Sequence, residues 1–288
     1  MPRRVAIVTD STADLPPGIA AARGITVVPL FVTFGEEQFR AGVDLSTAEF
    51  WERMLAPGSP WPSTAASAPG TFRDAFLEAL DAGAEAVVCI TISTKLSASF
   101  SSAEVGAQML PGRDVTVVDS RTASIAEGLL VLHAADLADE GRSAAEIAAS
   151  VRARLVDMDL YLALDTLEYL RKGGRLSAGK AAIGTLLSIK PIITIADGAV
   201  EVVEQPRTRS KARNRVLEIV AGGREVERVA ILYSPGEGTD PAAFRDLLVA
   251  RLPGTIDPST VMLTPLGPSI GPHVGPRCMG AVILRRPA

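Results

Sequence analysis

Short apolar runs alternate with helical stretches through the first half of the chain, and most of these runs end in hydroxyl-bearing residues. Residues 5–9 lead into Asp10-Ser11-Thr12-Ala13-Asp14, residues 86–92 into Ser93-Thr94-Lys95-Leu96-Ser97, and residues 115–118 into Asp119-Ser120. Residues 25–32 read as a further strand. Helices are expected over 75–82, 99–109, 125–139 and 144–155. This alternation predicts right-handed βαβ units and a mostly parallel sheet. Ligands of such sheets bind beyond the carboxyl ends of the strands.

The second half breaks the alternation. Residues 160–164 read as a strand, 165–171 as a helical turn, and Lys172-Gly173-Gly174-Arg175-Leu176-Ser177 as a loop before a short helix over 180–187. Residues 191–195 and 200–205 flank Asp197-Gly198, a dipeptide that favours a tight hairpin. Strands over 229–233, 260–264 and 281–285, with helices over 210–220 and 244–251, complete an α/β pattern with a mixed sheet. The Pro/Ser/Gly-rich stretch 57–70 is either an ordered functional loop or a disordered tip. At about 150 residues per domain, 288 residues suggest two domains.

Apolar residues make up 47 % and charged residues 22 %, enough for a real core and against a disordered chain. A net charge of −4 argues against general nucleic-acid binding. Cys89 and Cys278 stand far apart with no CxxC partner, so neither a disulfide framework nor a thiolate metal site is expected. The apolar run before Asp10 is too short for a signal peptide, and no run of 18 apolar residues exists. A cytoplasmic protein without an integral membrane segment is the expectation.

Hydroxyls and loop N–H groups at helix starts suit an anionic oxygen group, although Ser, Thr and Asp there also serve as ordinary helix caps. No phosphate-loop motif is present, so a carboxylate is the default ligand. Gly267-Pro268-Ser269-Ile270-Gly271 matches GxSxG, but Pro272 argues against the helix that a nucleophile elbow needs. His133 sits among leucines, as a structural residue would. His273 lies in a Gly/Pro loop and either faces a ligand or braces the loop. Two histidines without His–Glu spacing make a metal site unsupported. Residues 171–215 hold ten basic and three acidic residues, a local +7 that leaves −11 elsewhere. That segment reads as a solvated face, or as a surface for an anionic ligand or acidic partner.

Taken together, Ile7-Val8-Thr9-Asp10-Ser11-Thr12-Ala13-Asp14-Leu15-Pro16, residues 63–72, Ile92 to Ser97, Val118-Asp119-Ser120, Asp165 to Arg175, Ile189-Lys190-Pro191, Arg207-Thr208 and Gly267 to His273 resemble the DegV family over nearly the whole chain. The resemblance implies two α/β domains, residues 1–158 and 159–288, with a possible crossover at the C-terminus and a ligand tunnel between them. It implies a fatty-acid-binding subunit of a bacterial fatty acid kinase. Such a protein is not itself an enzyme and uses no cofactor or metal. It binds a long-chain fatty acid and presents the carboxyl group to a kinase catalytic subunit for acyl phosphate formation. Transient membrane contact is compatible with this role. Thr64, Ser97, His273 and Arg175 map onto the family's fatty-acid-binding positions, and Arg207 onto the residue linked to presenting the acyl group. Two departures stand out: Ala65-Ala66 follow Thr64 where Ser-Gln is usual, and Ala98 follows Ser97 where Gly is usual. A Cβ at position 98 is expected to crowd the ligand loop. The competing readings are a serine-type acyl hydrolase and a binding protein for another small carboxylate.

Overall fold

The computed structural model describes residues 4–176 and 189–287. The expected helix over 180–187, Ser177 and Lys180 lie outside the described residues. Four strands form a wholly parallel sheet in the order β2-β1-β6-β7: β1 Val5–Asp10, β2 Ile25–Val28, β6 Ala86–Thr91 and β7 Asp114–Asp119. The strand expected over 25–32 is two strands in two sheets. Pro29, which has no N–H to give a ladder, separates β2 from β3 (Phe31–Phe34). Strand β3 pairs antiparallel with β4 (Glu37–Arg40) and with β5 (Ser63–Ala65). The stretch 57–70 is therefore ordered, and it contributes a strand and the start of α3 (Pro69–Asp81).

The second half builds a six-stranded mixed sheet in the order β10-β9-β8-β13-β11-β12. Its members are β8 Met158–Ala163, β9 Ile192–Ala196, β10 Ala199–Glu204, β11 Val226–Tyr233, β12 Met262–Pro265 and β13 Met279–Arg285. Only β11 and β12 pair in parallel. The hairpin falls where its turn chemistry put it: Asp197 and Gly198 both take positive φ, 48° and 80°, as a two-residue turn requires.

Helix α5 (Ile125–Asp139) runs between the parallel sheet and the six-stranded sheet, touching β1, β6, β11 and β13. Eleven of its fifteen residues are buried, which explains why its sequence is apolar on nearly all sides. His133 on this helix bonds Ser150 Oγ of α6 (Ala144–Ala153) at 2.9 Å, the structural role expected of it. Helix α2 (Thr47–Leu55), unforeseen from the sequence, starts with a reciprocal cap between Ser46 and Glu49. It puts Phe50 and Trp51 into the core, where Trp51 Nε1 donates to Leu266 O at 2.8 Å. No helix among the described residues is long and apolar enough to cross a membrane.

Candidate binding site

Between one face of the six-stranded sheet and the loops beyond the carboxyl ends of β1, β6 and β7 lies a cavity with about 700 Å³ of empty space, open solvent at its mouth included. Its walls are mostly aliphatic, including Leu30, Ile92, Leu160, Leu162, Ile193 and Leu232. Thr64, Ser97, Arg175 and His273, from four separate segments, all line it. Arg207 does not. It is exposed, between β10 and α8 (Arg209–Ala221).

Thr64 stands at the centre of β5, opposite Val32 of β3. Its Oγ1 lies 2.9 Å from His273 Nε2. His273 belongs to the one-turn helix α10 (Gly271–Val274). Its ring lies against the backbone of Gly173, where a Cβ would come within 2.2 Å of Nδ1. The double glycine before Arg175 is thus needed for space at its first member. Burial, and then the nearby Arg175 guanidinium, push the His273 imidazole down to about 4. It is neutral near pH 7. The tautomer that donates from Nε2 to Thr64 leaves the Thr64 hydroxyl proton free for a ligand.

Arg175 donates from Nε to Leu96 O at 3.1 Å and from Nη1 to Gly173 O at 2.5 Å. Among the described residues no carboxylate lies within ion-pair distance of it. It is also the only charged residue lining the cavity among the described residues. Burial lowers its pKa from the ordinary value. A partly buried guanidinium without a counter-ion favours an incoming anion. Ser97 Oγ accepts from Ser99 N at 3.2 Å and lies 3.1 Å from Ser99 Oγ, so Ser99 fixes its direction. Ala98, the departure after Ser97, needs no special backbone conformation. Its φ is −83°, which any residue adopts, and the residue is exposed.

Aromatic contacts hold the Thr64 segment in place. Trp61 stacks on Tyr169 of α7 (Glu168–Lys172) with ring centres 4.9 Å apart, and Lys172 Nζ sits 4.2 Å above the Trp61 ring. On its other side Tyr169 lies against Gly275 (φ 76°), where a Cβ would fall 2.3 Å from the ring.

Ser269 does not look like a nucleophile. A single helical turn does follow it, contrary to expectation, because Pro272 fits at a helix start. Yet Ser269 is 2 % exposed and shares a 2.7 Å hydrogen bond with Ser11 Oγ, and neither histidine bonds it. The Gly267–His273 loop is instead anchored to the first half. Asp14 accepts from Gly267 N at 3.0 Å and from Ser124 Oγ at 2.6 Å. Desolvation, opposed by those two donors, pushes Asp14 up to about 7. Ser124, which also lines the cavity, takes a positive φ of 56° and was not foreseen as a site residue. Only its hydroxyl after a strand end hinted at it.

Thr12 also lines the cavity, and its Oγ1 lies within hydrogen-bond distance of both Asp10 Oδ1 and Glu127 Oε2. A hydroxyl has one proton to give, so protonation of one carboxyl would supply the second of these hydrogen bonds. Burial raises the pKa of both groups.

The basic segment is less positive in space than in sequence. Lys190, Arg209 and Arg277 converge on Asp165, and against its burial Arg209 and Lys190 hold it down to about 2. Arg215 pairs with Glu204 and Glu218. Arg171, Arg207 and Lys211 stay exposed with no acidic partner among the described residues.

A protein-family model described as an uncharacterised protein of the DegV family matches residues 4–286. A DegV domain-containing protein of Streptomyces coelicolor is 35 % identical over 290 residues, covering 99 % of this chain and 100 % of its own. The structure of a DegV family protein from Thermus thermophilus, described for fatty acid binding, superposes with a TM-score of 0.88 at 35 % identity, over 99 % of this chain and 100 % of the other. A stearic acid-binding protein from Eubacterium ventriosum gives 0.87 at 27 % identity, over 98 % of both chains. An α/β chain matched along its whole length by a family model, by relatives and by solved folds belongs to the DegV family.

Proposed function

We propose that this protein binds a long-chain fatty acid in the cavity between an N-terminal unit, residues 1–158, and a C-terminal unit, residues 159–288, and is a lipid-binding protein rather than an enzyme. The observation that carries the reading is a mostly aliphatic cavity in which Arg175 is the one charged lining residue among the described residues, with no carboxylate within ion-pair distance among them. An acyl tail matches the walls and a carboxylate matches the guanidinium. Thr64 and Ser97 donate hydroxyl protons to the carboxyl oxygens. His273, neutral, orients Thr64, and Arg175 supplies the charge. The fatty-acid-binding relatives support the same ligand class.

Beyond binding, the protein presents the carboxyl group to a partner kinase in the cytoplasm for conversion to an acyl phosphate. Exposed Arg207, with Arg171 and Lys211, supports an acidic docking surface on that partner, since charge complementarity speeds encounter. Denaturing mass spectrometry of the purified protein tests the ligand. A co-purified long-chain acid, or saturable binding of one after delipidation, supports the reading. No binding of any fatty acid overturns it.

A further inference from the structure

Leu160 and Leu162 of β8, and Ile193 and Ile195 of β9, line the main cavity. Alternate residues of a strand share a face, so both rows can be followed outward. On β8 the next position is Met158. On the β9 side it is Asp197, just past the strand end. Met158 and Asp197 line a second, open hollow of about 560 Å³ of empty space, solvent at its mouth included, together with Arg121, Thr122, Leu155 and Val156. Leu160 and Ile195 line it too. The two cavities therefore share these two side chains as a common wall.

The direction is set by the chain. Strand β8 runs from Met158 towards Ala163, and Asp165, α7 and Arg175 follow. Position 162 is thus nearer α7, which leads to Arg175, and position 158 nearer the Asp197-Gly198 turn, where Gly198 O accepts from Ser93 Oγ at 2.7 Å, with about 6.6 Å between alternate residues. Beyond the shared wall the hollow offers Leu155, Val156 and Met158 as apolar surface. It ends at a polar rim, where Arg121 Nη2 meets Asp197 Oδ1 at 2.6 Å.

We propose that the second hollow is the far extension of the acyl site, and that Leu160 and Ile195 form the partition that sets acyl chain length. This rests on the fatty-acid reading above. A chain that stops at the partition fills the main cavity alone. A longer one passes between Leu160 and Ile195 and lays its end on Leu155, Val156 and Met158. Each further buried methylene adds about fourfold in affinity until the chain reaches the ionic rim, where the gain stops.

Delipidated protein is offered an equimolar series of saturated fatty acids from short to very long, and the bound set is read by mass spectrometry after denaturation. Leu160→Ala is expected to move the bound distribution to longer acids and Ile195→Phe to shorter ones. A third measurement leaves the partition untouched. Val156 is 86 % exposed and both natural cysteines are buried, so Val156→Cys takes a polarity-sensitive dye selectively. Its emission should shift to the blue with acids long enough to pass the partition and stay unchanged with shorter ones. Unaltered distributions in the folded variants, or a dye blind to length, overturn the partition while leaving fatty-acid binding intact. Failure of the wild type to bind any acid in the series overturns the underlying reading instead.

Discussion

Replacing Thr64 by Val isolates one hydroxyl. Valine keeps the β-branched shape that suits the centre of β5, so the pairing with Val32 survives. The change deletes the donor proposed for the ligand carboxyl and the partner of His273 Nε2, 2.9 Å away. A hydrogen bond to a charged group contributes about 1.5–3 kcal/mol, so affinity should fall roughly 10- to 150-fold. Arg175 and Ser97 remain, so binding weakens but is not abolished. The effect on folding should be small, about 1 kcal/mol, the scale of one lost hydrogen bond to a neutral ring. Titration of delipidated protein with a fluorescent fatty acid gives the affinity, and thermal melting without ligand gives the stability. A Kd within about threefold of wild type, in a protein that melts normally, would refute the head-group assignment. A collapse of stability with the loss of binding would make Thr64 a structural residue.

Other outcomes follow from the same geometry. Arg207→Glu should slow kinase-dependent acyl phosphate formation, most strongly at low salt, while direct fatty-acid titration stays near wild type; equal loss of both would put Arg207 at the ligand. Gly173→Ala drives a Cβ into His273 Nδ1 and should both weaken fatty-acid binding and destabilise the fold by about 1–3 kcal/mol, as read by titration and by denaturant melts. Glu127→Gln offers the same donor and acceptor as a protonated acid and should match or exceed wild-type stability at pH 7. The folded-state pKa of Glu127 is raised, so its contribution is complete below the unfolded carboxyl value and is lost as pH rises towards the folded one. Denaturant melts across pH should therefore decline more gently in the variant than in wild type, and identical pH profiles would show that Glu127 is already ionised.

The strand–helix alternation of residues 86–155 was legible because each element there has a single strong period or an uninterrupted apolar run. Helix α5 matched its expected limits, Ile125–Asp139, since a helix buried on all sides leaves little choice of boundary. The Asp197-Gly198 hairpin was equally plain, because turn chemistry is local. The segment 25–65 was not legible. Its strands are three or four residues long and mostly half-exposed, and they hold together by pairing β3 with partners on both sides. No local pattern shows which short runs will pair.

The site divides along the same line. Thr64, Ser97, Arg175 and His273 were named from strings that resemble the family's, and the structure places all four on one cavity. Sequence also set the local +7 of residues 171–215, but charge counted along a chain ignores partners from elsewhere. Asp165 and Arg277 lie outside that count, and only folding brought them to Lys190 and Arg209. In the same way, the Thr64–His273 contact spans 209 positions and the anchoring of Gly267 by Asp14 spans 253. The sequence by itself determined the element types, the turn and the list of candidate groups, because these depend on neighbours a few residues apart. Tertiary structure alone decided which candidates meet, which charges are cancelled and how far the cavity runs, because those depend on sheet order and on side chains brought together from opposite ends of the chain.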